Sequence, residues 1–111
     1  MKIMDGDKYQ ELAMRTKKEG TTELQGLLNG CIGLAGETGE VCDIIKKYVF
    51  QGHKLEKNKI VDELSDCMWY IALTADSIGC SLNSIMEHNI DKLIKRYPNG
   101  FEAERSINRT E

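Results

Sequence analysis

Proline is nearly absent from this chain: Pro98 alone interrupts 111 residues, so long stretches are free to be helical. No apolar run approaches the ~20 residues that a membrane span needs. The opening MKIMDGDK also lacks the apolar centre of a signal peptide, so a cytoplasmic address and no membrane partner are expected. Basic blocks are missing as well. With a net charge of −3, the chain is a poor match for a nucleic-acid backbone. The four cysteines, Cys31, Cys42, Cys67 and Cys80, form no CxxC pair. They are expected to act as small hydrophobes in a reducing compartment rather than as disulfides or zinc ligands. Neither His53 nor His88 has a second histidine or a cysteine at ligand spacing. The length fits one domain spanning residues 1–111, and in helical chains this small a partner subunit often completes the core.

What is present is helical periodicity. Four stretches are predicted from apolar spacing and punctuation. The first runs from about Asp7 to Lys18 and ends at Gly20. The second runs from about Glu23 to Phe50, with a stripe of Leu27, Cys31, Leu34, Val41, Ile45 and Val49. The third runs from near Glu56 to Gly79, a C-terminal cap, with Ile60, Leu64, Cys67, Met68, Ile71, Ala75 and Ile78 on one face. The fourth opens on Ser81 as N-cap and stops before Pro98, presenting Leu82, Met86, Ile90, Leu93 and Tyr97. Residues 98–111 are expected to form a tail that docks back through Phe101 and Ile107. Nothing alternates with period two for long enough to make a strand. The fold class is therefore all-α, a four-helix bundle-like protomer.

Two acidic pairs, each spaced by three residues, lie on these helices: Glu37 and Glu40 in GLAGETGEV, and Glu63 and Asp66 in VDELSDCMW. Residues i and i+3 share a helix face, and winding at ~100° per residue sets each pair on the edge of its apolar stripe. Antiparallel packing would let four carboxylates converge at the rim of the core. Either pair alone would more commonly be a solvated face. Four like charges in one partly buried place make sense if cations sit among them. Oxygen donors without histidine or cysteine select Mg²⁺, with Mn²⁺ as a substitute, and such ions suit hydrolysis of phosphate anhydrides.

Neighbouring residues support that expectation. The strip bearing Glu37 continues back through Gly33 and Gly30. Glycine in a helix costs about 1 kcal/mol relative to alanine, so here it is expected either to leave room for metal and substrate or to allow close helix packing. On the third helix the strip joins Lys59, Glu63, Asp66 and Tyr70. On the fourth, Asn89, Lys92 and Arg96 follow at steps of three and four. Lysine and arginine beside a metal site clamp phosphate charge, although near a helix C-terminus they also favour the dipole.

The segments GLAGETGEVCDIIKK and DELSDCMWYIALTA together resemble the EXXE…EXXD signature of MazG-like nucleotide pyrophosphohydrolases, within the all-α NTP pyrophosphatase superfamily. YQELAMRT (Tyr9 to Thr16) is similar to the family's first helix, and NIDKLIKRYPNGF (Asn89 to Phe101) to its last. The resemblance implies a MazG-like protomer completed by dimerisation, as a homodimer or homotetramer. It also implies Mg²⁺-dependent cleavage of a nucleoside triphosphate, (d)NTP + H₂O to (d)NMP + pyrophosphate. By motif position Glu37, Glu40, Glu63 and Asp66 would ligate the metal and carry catalysis, while Tyr70, Asn89, Lys92 and Arg96 would hold the nucleotide substrate. The role implied is nucleotide pool cleaning. The alternative is a non-catalytic helical dimer acting as a regulatory or interaction module. A di-iron carboxylate centre needs Glu-x-x-His on two helices, and here Ile85 precedes His88 and Phe50 precedes His53 by three.

Overall fold

A computed structural model describes residues 3–110. Five helices follow in order, with no β-strand among the described residues: α1 Gly6–Met14, α2 Glu23–Phe50, α3 Lys57–Ser77, α4 Leu82–Arg96 and α5 Ala103–Ile107. Helix α2 starts on a capping box. Thr22 accepts from the Gln25 backbone N–H and the Gln25 side chain accepts from the Thr22 N–H, both at 3.1 Å. Helix α3 ends in a Schellman turn: Cys80 N–H donates to Ala75 at 2.9 Å, and Gly79 supplies the left-handed residue at φ 74°. Ser81 then caps α4 by accepting from Ser84 N–H at 3.1 Å.

Helix α1 is shorter than the predicted Asp7–Lys18. The Ala13 carbonyl accepts from the Thr16 hydroxyl at 2.7 Å, the Thr16 N–H at 3.1 Å and the Trp69 indole at 3.2 Å. This crowding turns the chain out of its i to i+4 ladder, a local competition typical of threonine. The tail also differs from expectation. It forms the short α5 and is held by Arg105, whose guanidinium donates to the Arg96 and Lys95 carbonyls at 2.5 and 3.2 Å. Phe101 lies tilted against Tyr97, ring centroids 5.2 Å apart, but Phe101 and Ile107 stay largely in solvent. The unsatisfied carbonyls at the end of α4 attract an arginine more strongly than the sparse apolar surface there attracts Ile107.

The α2–α3 hairpin is the backbone of the protomer. Helix α1 lies against α3, and α4 packs chiefly on α1. Gln10 ties the pieces together: its amide donates to the Cys80 carbonyl at 3.1 Å and accepts from Leu82 N–H at 3.1 Å. Asp7 and Asn83 add a reciprocal pair of side chain to backbone bonds at 2.9 and 3.2 Å. Among the described residues the buried apolar side chains are few: Ala13, Ala72, Leu73, Ala75 and Leu82. Much of each predicted stripe remains exposed, including Ile45 and Val49 on α2, Leu64, Met68 and Ile78 on α3, and Met86 and Ile90 on α4.

Candidate metal centre

The position of the acidic residues follows from how closely α2 and α3 approach. Gly26 faces Ser77, Gly30 faces Thr74 and Gly33 faces Tyr70, so the helices run antiparallel along a seam of glycines. A Cβ at Gly30 would lie 3.1 and 3.2 Å from the Thr74 backbone N and Cα, and one at Gly33 would overlap the Tyr70 ring. The seam therefore holds protein, not open space. Gly30 and Gly33 serve close packing, and the room for a ligand lies further along, where Gly36 and Gly39 meet nothing within 4 Å.

The next residue on that seam is Glu37. Carboxylate oxygens of Glu37, Glu63 and Asp66 lie within 4.8 Å of one another. Glu37 and Glu63 are half-buried and Asp66 is exposed. Glu40 is not part of this trio. It is exposed one turn further on, and its charge is felt at Lys47. A hydrogen bond with Glu37 holds the Glu63 carboxyl above the ordinary carboxylate range, helped by desolvation and by the charges of Glu37 and Asp62. Repulsion between two carboxyls this close favours a proton or a cation between them. Burial pushes the Tyr9 phenol up, and the nearby charge of Asp66 adds to it. An all-oxygen donor set of this kind fits a hard divalent ion.

The other expected residues are placed unevenly. Tyr70 abuts the centre, its ring lodged on Gly33 and edge-on to Trp69 at 5.2 Å. Trp69 is fixed in turn by its indole N–H, which donates to Thr16 Oγ1 at 2.8 Å. Lys59 turns back to pair with Glu56 at 3.3 Å rather than with Glu63. Asn89, Lys92 and Arg96 share α4, which packs chiefly on α1, so the protomer does not draw that edge against the α2–α3 carboxylates. Arg96 instead borders a polar recess with the tail residues Glu102, Arg105 and Arg109. Sequence reasoning passed over Asp43 and Lys47, which extend the Glu40 edge and pair at 2.8 Å. Their signal was the continuation of the same three- and four-residue steps.

The sequence profile of the MazG nucleotide pyrophosphohydrolase domain matches residues 25–101, a span that contains both acidic pairs and α4. The chain belongs to the MazG family. The Gene 37 protein of Mycobacterium phage L5 is 32% identical over 81 residues, covering 69% of this chain and 71% of that protein. No solved structure matches. The matched span makes this all-helical fold a MazG fold and places its carboxylate trio within a nucleotide pyrophosphohydrolase domain. No helix among the described residues is long and apolar enough to cross a membrane.

Proposed function

We propose that this MazG-family chain is a Mg²⁺-dependent pyrophosphohydrolase that converts a (d)NTP to the (d)NMP and pyrophosphate in the cytoplasm, cleaning a nucleotide pool. The observation that carries the reading is the trio of Glu37, Glu63 and Asp66 oxygens within 4.8 Å in a chain of this family. Those three would hold the ion, with Glu40 a fourth carboxylate one turn away; Mn²⁺ is an acceptable substitute by donor type. The ion would supply charge neutralisation for phosphate oxygens and a more acidic water. The exposed Glu40 would act as the base that accepts a proton from the attacking water. Tyr70, fixed on Gly33, offers an aromatic surface and a hydroxyl beside the centre. Asn89, Lys92 and Arg96, on an edge the protomer does not draw against the carboxylates, would hold the nucleoside end of the substrate.

The proposed enzyme is a homodimer or a larger assembly of the same chain, contacting no nucleic-acid polymer. A compact monomer of 12.6 kDa should expose about 6,200 Å², yet this protomer exposes 8595 Å². Its radius of gyration is 17.1 Å against about 13 Å for a compact domain of this length. The excess of about 2,400 Å² per chain is the size that obligate interfaces bury. Its apolar part runs along one flank. At 100° per residue, Ile45 and Val49 of α2 and Leu64, Ile71 and Ile78 of α3 lie on the side where Thr38 meets Cys67 at 4.0 Å. The carboxylates lie on the other side, so association there leaves them open.

Incubating the purified protein with each (d)NTP and Mg²⁺ and identifying the products tests the activity. Monophosphate with pyrophosphate is expected, whereas diphosphate with phosphate would overturn the bond assignment. Sedimentation equilibrium tests the assembly: twice the chain mass or more is expected, reduced by Leu64→Glu with Ile71→Glu.

A further inference from the structure

The tip of the α2–α3 hairpin carries a second recess, lined mostly by charged residues, on the carboxylate flank and one to two turns beyond Glu40 and Glu63. Asp43 and Lys47 of α2, His53 and Lys54 of the connection, and Glu56 and Lys59 at the start of α3 line a notch of about 200 Å³. The connection is tied down. Backbone N–H groups of Gln51 and His53 both donate to the Lys47 carbonyl, at 3.0 and 3.2 Å, folding the loop back over the last turn of α2.

Two of the three lysines are already neutralised, Lys47 by Asp43 at 2.8 Å and Lys59 by Glu56 at 3.3 Å. Lys54 makes no ion pair among the described residues. Three lysines against two carboxylates leave a local positive excess in a chain whose net charge is −3. The notch neighbours the metal centre along both helices. At 1.5 Å per residue, Lys59 sits about 6 Å from Glu63 along α3 and Asp43 about 4.5 Å from Glu40 along α2. The Asp43 hydrogen bond and charge raise the affinity of Lys47 for its proton, and the charge of Glu40 adds to them. Because α4 packs chiefly on α1, these lysines are the cations that α2 and α3 themselves place next to the carboxylates.

The geometry points to this notch as the subsite for the terminal phosphates of a nucleoside triphosphate and for the pyrophosphate released, with Lys54 as its uncompensated charge. The assignment rests on the pyrophosphohydrolase reading, because it takes the phosphate chain to start at the carboxylates. A triphosphate running from Glu37, Glu63 and Asp66 toward the hairpin tip meets Lys59, Lys47 and Lys54 in turn. A monophosphate ends before reaching them.

The test is calorimetric titration of inorganic pyrophosphate, and separately of a nucleoside monophosphate, into the Mg²⁺-loaded protein. Lys54→Ala should weaken pyrophosphate about tenfold, the loss of one hydrogen bond between charged groups. Lys54→Arg should restore it, while Lys18→Ala, near the opposite end of α3, should leave it unchanged. Monophosphate affinity should not move in any of them. Unchanged pyrophosphate affinity in Lys54→Ala, an equal loss for monophosphate, or no pyrophosphate binding by the wild type would each overturn the subsite. A wild type that binds pyrophosphate through Lys54 yet hydrolyses no nucleotide would sink the enzymatic reading and leave the subsite standing.

Discussion

Replacing Gly30 and Gly36 singly by alanine separates what the α2 glycines do. Both lie inside α2, so each substitution gains about 1 kcal/mol of helix propensity. At Gly36 the new methyl meets nothing within 4 Å, and that gain should survive. At Gly30 it meets the Thr74 hydroxyl, which donates to the Tyr70 carbonyl at 2.8 Å, and the Thr74 backbone N and Cα at 3.1 and 3.2 Å. A hydroxyl can rotate aside, but backbone cannot, so the helices must move apart. Overpacking of this kind costs about 1–3 kcal/mol, which outweighs the propensity gain over most of its range. Because both gain the same propensity, the two variants should differ by the overpacking cost alone, about 1–3 kcal/mol, or about 4–24 °C in Tm at about 4–8 °C per kcal/mol. Thermal denaturation followed by far-UV circular dichroism, without metal, reads this directly. Separation at Gly30 also moves Glu37 away from Glu63, so Mg²⁺ affinity by calorimetry should fall in Gly30→Ala. Equal melting temperatures for the two variants would refute the close-packed seam.

Glu63→Gln should abolish pyrophosphate release while keeping the helical spectrum, because the side chain bonds only at the half-buried acidic edge; wild-type turnover would remove Glu63 from the site. The pH dependence follows from the same residue. Its folded pKa is raised by the Glu37 hydrogen bond, so its contribution to stability is complete below the unfolded value of about 4.3. That contribution is lost as pH rises through the folded pKa. Without metal, Tm should therefore decline through that window, and the Tm increment on adding Mg²⁺ should grow over the same interval; an increment independent of pH would contradict the shared proton. Gln10→Ala should cost about 1–3 kcal/mol in urea unfolding, because it strands the Cys80 carbonyl and the Leu82 N–H; a loss below about 0.5 kcal/mol would show that water replaces it.

The long helices were legible because their signals are local. The Thr22–Gln25 box, the stripe on α3, Gly79 and Ser81 all lie within a few residues of the boundaries they set. The end of α1 was not, since Trp69 competes for the Ala13 carbonyl from 56 residues away. The acidic pairs could be read from i,i+3 spacing, but which oxygens converge depends on the rotation of one helix against the other. Here the contacts at Gly26, Gly30 and Gly33 fix that rotation. They bring Glu37 onto Glu63 and Asp66 and leave Glu40 a turn outside. Of the hairpin-tip lysines, Lys59 and Lys47 follow helical steps from the acidic pairs, but Lys54 lies in the connection. Its place beside them depends on the Lys47 carbonyl gathering two loop N–H groups, which no periodicity encodes.

The same seam explains how the fold tolerates its own repulsion. Three carboxylates within 4.8 Å push α2 and α3 apart, most strongly when no cation is bound. The force acts at mid-seam, and each side of it is secured differently. Toward Ser77 the helices meet through glycines, where small residues maximise backbone contact, and α3 is clamped to α1 by Trp69, which donates to the Ala13 carbonyl at 3.2 Å, and by Gln10, which donates to the Ala72 carbonyl at 3.4 Å. Toward the tip the restraints are surface ion pairs such as Asp43–Lys47 and Glu56–Lys59, each contributing about 0–1 kcal/mol. The stiff side therefore sets the geometry of Glu37 while the compliant side yields to whatever binds. A cation drawing the three carboxylates together would pull the tip, and Lys54 with it, toward the same ligand. In this fold the glycine seam does more for the metal centre than added acidic residues could, since each further carboxylate would load the side least able to resist it.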